Sequence, residues 1–553
     1  MLVVLFLLFQ LTRATSSRPN VLFIGVDDLR PEIAGNYGQT QIITPNLERL
    51  ANRSTTFLKA YCQVALCSPS RTSLLTGLRP DTTGVWTIGP YFRQTMGMDA
   101  GNAVVTLPQY FKQNGYTTTG VGKIFHPGTS SGGPSSGEGG GDGGYPFRTN
   151  GSWSKPYFFC DQFYNGTFQS PAAQQWPGSD AMGCVQSSSC LTCLRDAGGL
   201  TKHSKPAFLA APCPDSCFPD GAVADEAVRQ IEAYGVGKDL ENAPPFFLAV
   251  GFKRPHLGWF APKKYFDVYA NNTDVVVAKH RFPPNAMPSC AFSGNGEMCG
   301  MDGVECAITN GSGTVHGYNL VVEHQHLELR RAYYSTVTFM DAQLGKVLDA
   351  LDRSGLQDNT IVVFWGDHGY QLGEHGEWAK ITNFEDATRV PLLISLPHSV
   401  TNAQRDGQVQ KTSDALVELL DVYPTLVEAA GLPPRGNKTQ GKSLMPLING
   451  TGAAHLFNAS FSQITRIHQA HQGKMGISMR TEKYRYTEWL DFDGTHVAKI
   501  KATASLPELY THKNENINDF DGTENVNLAA DKQYANVIKK MHQELAMVWG
   551  GNQ

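Results

Sequence analysis

A chain of 553 residues exceeds what one hydrophobic core usually supports, so a large domain with a smaller companion is the expected layout. The hydrophobic, charged and aromatic fractions of 41%, 17% and 10% are ordinary for a globular protein. A formal net charge of −4 is close to neutral at this size; it argues against a nucleic-acid partner and requires any anionic ligand to be held by a local cluster of cations.

Leu2 to Leu11 is a short apolar run followed by Ala14-Thr15-Ser16, the pattern of a secretory signal peptide over residues 1–16. The run is too short to span a membrane comfortably, and no later stretch is long enough, so no membrane span is expected. Val21-Leu-Phe-Ile-Gly-Val26 reads as a strand buried on both faces of a parallel sheet, ending in Asp27-Asp28. Thr44-Pro45 opens a helix, with Thr as N-cap and Pro at the first helical position. Cys67 sits where a further helix is expected to begin, so backbone N–H groups and the helix dipole would favour an anionic oxygen there.

Leu107 to Gln113 is helical in pattern, and Tyr116 to Val121 is a strand leading to Gly122-Lys123 and then His126. Residues 128–144 are rich in Gly and Ser and read as a mobile loop bordering whatever site Lys123 and His126 serve. A cysteine-rich insert occupies 160–217, with Cys160, Cys184, Cys190, Cys193, Cys213 and Cys217; Cys290, Cys299 and Cys306 crowd a second region. In a cytosolic protein Cys190 and Cys193 would be a metal or redox pair, whereas in an oxidising compartment disulfides of open connectivity are expected, the odd total of 11 cysteines leaving one for chemistry. Eight Asn-x-Ser/Thr sequons (Asn52, Asn150, Asn165, Asn271, Asn310, Asn437, Asn449, Asn458) agree with a glycoprotein of the secretory route.

Phe246-Phe-Leu-Ala-Val250 is another buried strand, followed by Lys253-Arg254-Pro255-His256. Arg331 to Ser354 is a long amphipathic helix that Gly355 is placed to end, and Thr360 to Trp365 is a strand ending in Gly366-Asp367-His368-Gly369. From about Ser460, alternating segments around Met475–Arg480 and Tyr484–Trp489 predict a small antiparallel sheet, with a terminal helix near Lys532 to Trp549. The fold class expected is therefore α/β: a large, mixed, mostly parallel sheet flanked by helices over 17–455, and a C-terminal antiparallel subdomain over 456–553. Four strands ending in Asp-Asp, Lys, His and Asp-His point to one pocket beyond their carboxyl ends.

Cys67-Ser-Pro-Ser-Arg71, continuing to Leu75-Thr76-Gly77, resembles the signature of the sulfatase family. The segments Asn20 to Pro31, Arg79 to Thr83, Pro108 to Lys112, Val121 to Pro127, Phe246 to His256, Asp367 to Gly369, Leu372 to Lys380 and Tyr484 to Tyr486 extend the similarity to the iduronate 2-sulfatase group over most of the chain. The resemblance implies that Cys67 is oxidised to formylglycine by the formylglycine-generating enzyme of the endoplasmic reticulum. A hydrated aldehyde offers one hydroxyl to attack sulfur and a second whose proton loss expels sulfate by carbon–oxygen cleavage, an exit that a serine ester lacks. It also implies metal ligands at Asp27, Asp28, Cys67, Asp367 and His368, whose hard oxygens suit Ca²⁺, with Mg²⁺ as the alternative.

The same resemblance assigns the other pocket residues. Arg71 would bond the nucleophile's oxygen, Lys123 and His126 would supply charge and handle a proton beside it, and His256 and Lys380 would contact sulfate. The implied activity is removal of the 2-O-sulfate from non-reducing L-iduronate 2-sulfate units of heparan and dermatan sulfate, in the lysosome or, alternatively, outside the cell. Two departures bear on specificity: Tyr370 replaces the group's tryptophan, and 128–144 replaces a segment that supplies an acidic substrate contact, for which Glu138 and Asp142 are unaligned candidates. The alternatives are an exo-sulfatase for another sulfated glycan or small ester, a related phosphatase or phosphodiesterase, and an inactive relative. Cys67 in its Pro-Arg frame argues against the phosphatases, which use Ser or Thr, and the complete residue set argues against inactivity.

Overall fold

The computed structural model describes residues 18–96, 104–133, 141–143, 151–160, 188–197, 205–235, 243–309, 318–397, 400, 411–451, 457–466, 473–495, 500, 506–513, 519 and 522–549. The signal-like segment 1–16, Cys184 and Glu138 lie outside them.

The main sheet has eight strands: β1 (Asn20–Val26), β2 (Thr55–Tyr61), β3 (Thr117–Gly122), β4 (Phe246–Phe252), β5 (Thr360–Gly366), β6 (Arg389–Val390), β7 (Leu392–Ser395) and β8 (Thr412–Glu418). Their spatial order is β6-β2-β7-β5-β1-β4-β3, with β8 beside β2. β1, β4 and β5 are central, and every one of their residues is buried. Side chains alternate between the two faces of a strand. Accordingly Leu22, Ile24 and Val26 pack on one side, and Val21 and Phe23 on the other, in two separate cores. This is why β1 reads as an unbroken apolar run, each such side chain contributing about 1.5–3 kcal/mol by burial.

The helices that matter here are α1 (Cys67–Thr76), α2 (Pro219–Gly235), α3 (His326–Arg353) and α4 (Ala535–Trp549). α2 and α3 cover the face of Leu22 and Ile24, and α1 places Leu74 and Leu75 in the core of Val21 and Phe23. α3 begins at His326, five residues before the expected Arg331, because polar residues flank its first apolar positions and mask the period. Gly355, at φ +65°, ends it as expected. At the helix Pro45–Ala51, Thr44 is the N-cap residue, but its hydroxyl accepts from the Ala34 amide instead of capping.

Parallel register sets the position of the site. Val26 pairs with both Phe252 and Gly366, and Gly122 pairs with Gly251, so four strand ends are level. The residues that follow emerge side by side. The sheet is mixed because β7 runs antiparallel to both β5 and β2.

A separate antiparallel sheet contains β9 (Ala459–Thr465), β10 (Lys474–Thr481), β11 (Tyr484–Asp491) and β12 (Glu508–Thr511). α4 covers it, burying Met541 and Leu545 against Met475, Ile477, Met479 and Leu490. It is joined to the main body by buried ion pairs: Glu385 accepts from Arg480 at 3.1 Å, Arg485 at 2.6 Å and the Tyr61 hydroxyl at 2.9 Å.

Disulfides join Cys190 to Cys217, Cys193 to Cys213 and Cys299 to Cys306, and Cys160 is also disulfide-bonded. Cys190 and Cys193 thus serve two different bridges, which removes the metal or redox-pair reading. Cys62, Cys67 and Cys290 are free and buried. Of the segment 128–144, residues 128–133 and 141–143 are described. Gly128–Ser131 is a largely buried 3₁₀ turn, and Asp142 is buried, ion-paired with Arg93 at 2.5 Å and hydrogen-bonded by the Tyr91 hydroxyl. Among the described residues no helix is long and apolar enough to cross a membrane.

Candidate active site

The level strand ends deliver Asp27 and Asp28 from β1, Lys123 from β3, His256 after β4, and Asp367 and His368 from β5. Helix α1 starts at Cys67, next to Leu66 in an extended N-cap position. Pro69 falls in its first turn, where an absent N–H costs no helical hydrogen bond. Lys380 comes from the loop after a 3₁₀ turn at Glu374–Gly376.

Cys67 is buried, with Sγ 3.3 Å from His368 Nε2. Burial and the negative charge of Asp27 push its thiol well above the ordinary range, so the unmodified side chain is a neutral, weak nucleophile. Around it stand three carboxylates and three fixed cations. Arg71 donates through Nε to Asp367 Oδ2 at 2.8 Å, through a terminal nitrogen to Asp27 Oδ1 at 3.1 Å, and to the carbonyls of Lys123 and Ile124 at 2.5 and 3.0 Å. Four of its five N–H groups therefore fix the carboxylates and the β3 loop. The guanidinium thereby holds Asp27 and Asp367 at a set angle.

Lys123 Nζ lies 2.5 Å from Asp27 Oδ2, and Lys380 Nζ lies 2.8 Å from Asp28 Oδ2. Burial raises the pKa of both carboxyls, but the outcomes differ. For Asp27 the charges of Lys123 and Arg71 win and hold it well below its usual value. For Asp28 burial wins over Lys380 and His368, and the pKa rises to about 6. Asp28 adopts φ +58°, a left-handed conformation that Asp tolerates. Its amide donates to Asp367 Oδ1 at 3.0 Å, and its carbonyl accepts from the Tyr333 hydroxyl at 2.8 Å.

His126 is buried and its Nδ1 faces the Pro127 carbonyl at 3.0 Å; burial, then the charge of Lys123, lowers its pKa to about 3. His256 likewise directs Nδ1 at the Leu257 carbonyl, 2.6 Å away, and is held neutral chiefly by burial and Lys380. Ligand-type atoms of Asp27, Asp28, Cys67 and His256 lie within 4.8 Å of one another, as do those of Asp27, Cys67, Asp367 and His368. All ten residues singled out in the sequence are described, and the five expected ligands fall into these two overlapping groups.

Residues 19–432 match the sulfatase family model. The chain belongs to the sulfatase family. Residues 373–549 also match the C-terminal model of N-sulphoglucosamine sulphohydrolase. The chain is 31% identical to iduronate 2-sulfatase of Mus musculus, over 94% of this chain and 93% of the relative. It is 31% identical to the Homo sapiens iduronate 2-sulfatase, over 92% of each. Among solved structures, a phosphonate monoester hydrolase of Agrobacterium radiobacter superposes with a TM-score of 0.65 at 20% identity, covering 96% of this chain and 95% of that one, which shows a shared fold. Membership of the sulfatase family makes the protein a sulfuric ester hydrolase.

Sulfatases generally use formylglycine and a divalent metal. The residues present fit a hard divalent cation. Asp28 Oδ1 is buried without a hydrogen-bond partner, 3.4 Å from His368 Nε2, amid oxygen-rich donors. With Asp27, Asp28 and Asp367 set against Arg71, Lys123 and Lys380, a divalent ion would shift the site towards positive charge, which favours an anionic sulfate ester.

Sequence reasoning missed Glu297, whose Oε2 lies 3.2 Å from Lys380 Nζ and whose Oε1 lies 3.9 Å from His256 Nε2. Its only signal was its place between Cys290 and the Cys299–Cys306 bridge. The supporting pair Arg30 and Glu374, 3.1 Å apart and fully buried, was also missed, although both lie in segments quoted for the resemblance. Tyr370 is buried beneath Lys380, whose Nζ is 5.9 Å from the ring, with its hydroxyl donating to the Trp378 carbonyl at 3.1 Å. Its exchange for tryptophan thus touches the support of Lys380.

Proposed function

We propose that this sulfatase removes the 2-O-sulfate from non-reducing L-iduronate 2-sulfate units of heparan and dermatan sulfate, with Cys67 carried as formylglycine. Asp27, Asp28, Asp367 and His368, with residue 67, would hold Ca²⁺ or Mg²⁺. The observation that carries the reading is Cys67 at the first turn of α1, 3.3 Å from His368 Nε2 and enclosed by balanced carboxylates and cations. The sugar assignment is supported by near-full-length similarity to proteins named iduronate 2-sulfatase.

When present, the two groups supply a hydroxyl for attack at sulfur, a second hydroxyl whose deprotonation expels sulfate, and a cation that favours the deprotonated form. The chain does the rest. Arg71 holds two carboxylates at a set angle, and Lys123 keeps Asp27 anionic. His126, with Nδ1 engaged, stays neutral and offers Nε2 as a hydrogen-bond acceptor. Lys380 would receive the sulfate oxygens, and His256, with Nδ1 engaged by the Leu257 carbonyl, would join it only when Nε2 carries a proton. The first-turn N–H groups of α1 favour negative charge at residue 67.

Synthesis through the secretory route, conversion by the formylglycine-generating enzyme and delivery to an acidic lysosomal or an extracellular site complete the proposal. The cysteine bridges and the exposed sequons Asn52, Asn271 and Asn458 support that route. Peptide mapping for N-glycans on secreted protein tests it; unglycosylated material retained in the cytosol contradicts it.

The activity test is expression in a secretory eukaryotic host and assay at acidic pH on a disaccharide bearing non-reducing 2-sulfated iduronate. Sulfate release absent in Cys67→Ala supports both reaction and sugar; no release from protein with converted Cys67 rejects the sugar. A second reading, an exo-sulfatase for another sulfated glycan, is favoured by Asp142, which is committed to Arg93 and does not replace the acidic substrate contact expected of 128–144. A kinetic screen of sulfated disaccharides separates the two.

A further inference from the structure

Glu297 stands at the opening of the pocket. Its side chain is 37% exposed, against 4% for Lys380 and 0% for Asp28. Its placement is built from several directions. The neighbouring Asn295 side chain donates to the carbonyls of Asn319 and Gly376 at 2.8 and 2.9 Å and accepts from the Trp378 amide at 2.6 Å. The Ser293 amide donates to Glu377 at 2.6 Å, and the Cys299–Cys306 bridge closes the segment from the other side. The piece that carries Glu297 is thus fastened to the turn that carries Lys380.

Lys380 and His256 are the groups read above as sulfate contacts, and the Glu297 carboxylate pairs with Lys380 at 3.2 Å and lies 3.9 Å from His256 Nε2. Beside a bound sulfate this carboxylate repels any further anionic group. The repulsion is offset when the substrate brings a hydroxyl donor to the same place, because a carboxylate accepts such bonds strongly. On a sulfated pyranose the nearest donor is the hydroxyl on the carbon adjacent to the sulfated one.

We propose that Glu297 is a specificity-determining residue of this sulfatase, accepting a hydrogen bond from the hydroxyl vicinal to the sulfate ester and rejecting substrates that carry a second anion there. The proposal rests on the sulfatase reading of Lys380 and His256, and it names the substrate feature that the pocket mouth selects.

The test compares wild type, Glu297→Gln and Glu297→Ala, each checked for equal conversion of Cys67, on three probes. These are a sulfated pyranoside with a free vicinal hydroxyl, its vicinally disulfated counterpart, and 4-methylumbelliferyl sulfate, which has no hydroxyl. Both variants are expected to lose about 10- to 100-fold in kcat/KM on the first probe, mainly through KM, while the aryl sulfate changes by less than about threefold. Discrimination against the disulfated probe is expected to shrink. Equal losses on the pyranoside and the aryl sulfate would overturn the proposal and make Glu297 a support for Lys380 alone; no loss on either would also overturn it. If wild type cleaves another sulfated pyranoside but not the iduronate compound, the sugar assignment falls, and the same comparison decides the role of Glu297 on that substrate.

Discussion

Arg71 Nε donates to Asp367 Oδ2 at 2.8 Å, joining residues 296 positions apart. The same guanidinium reaches Asp27 at 3.1 Å, so one planar group sets the angle between carboxylates from two strands. Lysine keeps the charge but cannot span both. Arg71→Lys is expected to lower kcat/KM by at least about 100-fold and to weaken divalent-cation binding by about 10- to 100-fold. Arg71→Ala leaves two buried carboxylates short of a partner and should cost a further 3–5 kcal/mol, roughly, in urea unfolding. Steady-state kinetics, calorimetric cation titration and denaturation check these; a near-normal lysine variant would contradict the orienting role.

Removal of divalent cations by a chelator is expected to abolish sulfate release and lower the melting temperature, and Ca²⁺ or Mg²⁺ should restore both. The reason is the buried, unpartnered Asp28 Oδ1 among clustered carboxylates. At a free cation concentration of about 100 times Kd, linkage gives about 2.7 kcal/mol of stabilisation. Full activity in chelated protein would contradict the ligand assignment.

The backbones of β3 and β4 approach closely where Lys123 enters the pocket. A Cβ at Gly251 would lie 2.1 Å from the Lys123 carbonyl oxygen, and Gly122 is at φ +75° with its own Cβ position 2.1 Å from the Gly251 carbonyl oxygen. Gly251→Ala must displace Lys123, which holds Asp27. The expected result is a stability loss of about 1–3 kcal/mol and a fall in kcat of about tenfold or more. Thermal melting and kinetics read both effects; an active, equally stable variant would show that the strands separate freely.

Glu377 is buried, and burial raises its pKa to about 7 despite the Ser293 amide and the charge of Arg466. A carboxyl with a raised folded-state pKa favours the protonated fold. Its contribution is fully present below the unfolded value of about 4.3 and is lost as pH rises through 7. Glu377→Gln removes this dependence. The stability difference between wild type and variant should therefore shrink by on the order of 2–4 kcal/mol between pH 4.5 and 7.5. Denaturant titrations at the two pH values measure it, and a difference that grows with pH would refute the assignment.

Central strands were legible because burial on both faces demands unbroken apolar runs, as in β1, β4 and β5. β2 was not, since Thr55, Thr56 and Lys59 dilute its pattern, and β7 has only four residues. Asp27, Asp28, Lys123, Asp367 and His368 stand out at strand ends, whereas the roles expected of all ten pocket residues came from the resemblance to the sulfatase signature around Cys67. Glu297 was not: it stands in a segment without periodicity, held in place by a disulfide and by Asn295. The commitment of Arg71 to carboxylates was equally hidden, because it depends on Asp27 and Asp367 meeting across parallel strands.

The most direct measurement is the rate of sulfate release from protein prepared with different fractions of residue 67 converted to formylglycine, the fraction being read by mass spectrometry of the peptide containing it. The account predicts a rate proportional to the converted fraction, reaching zero for unconverted protein and for Cys67→Ala. Turnover by unconverted protein at the rate of converted protein would contradict it.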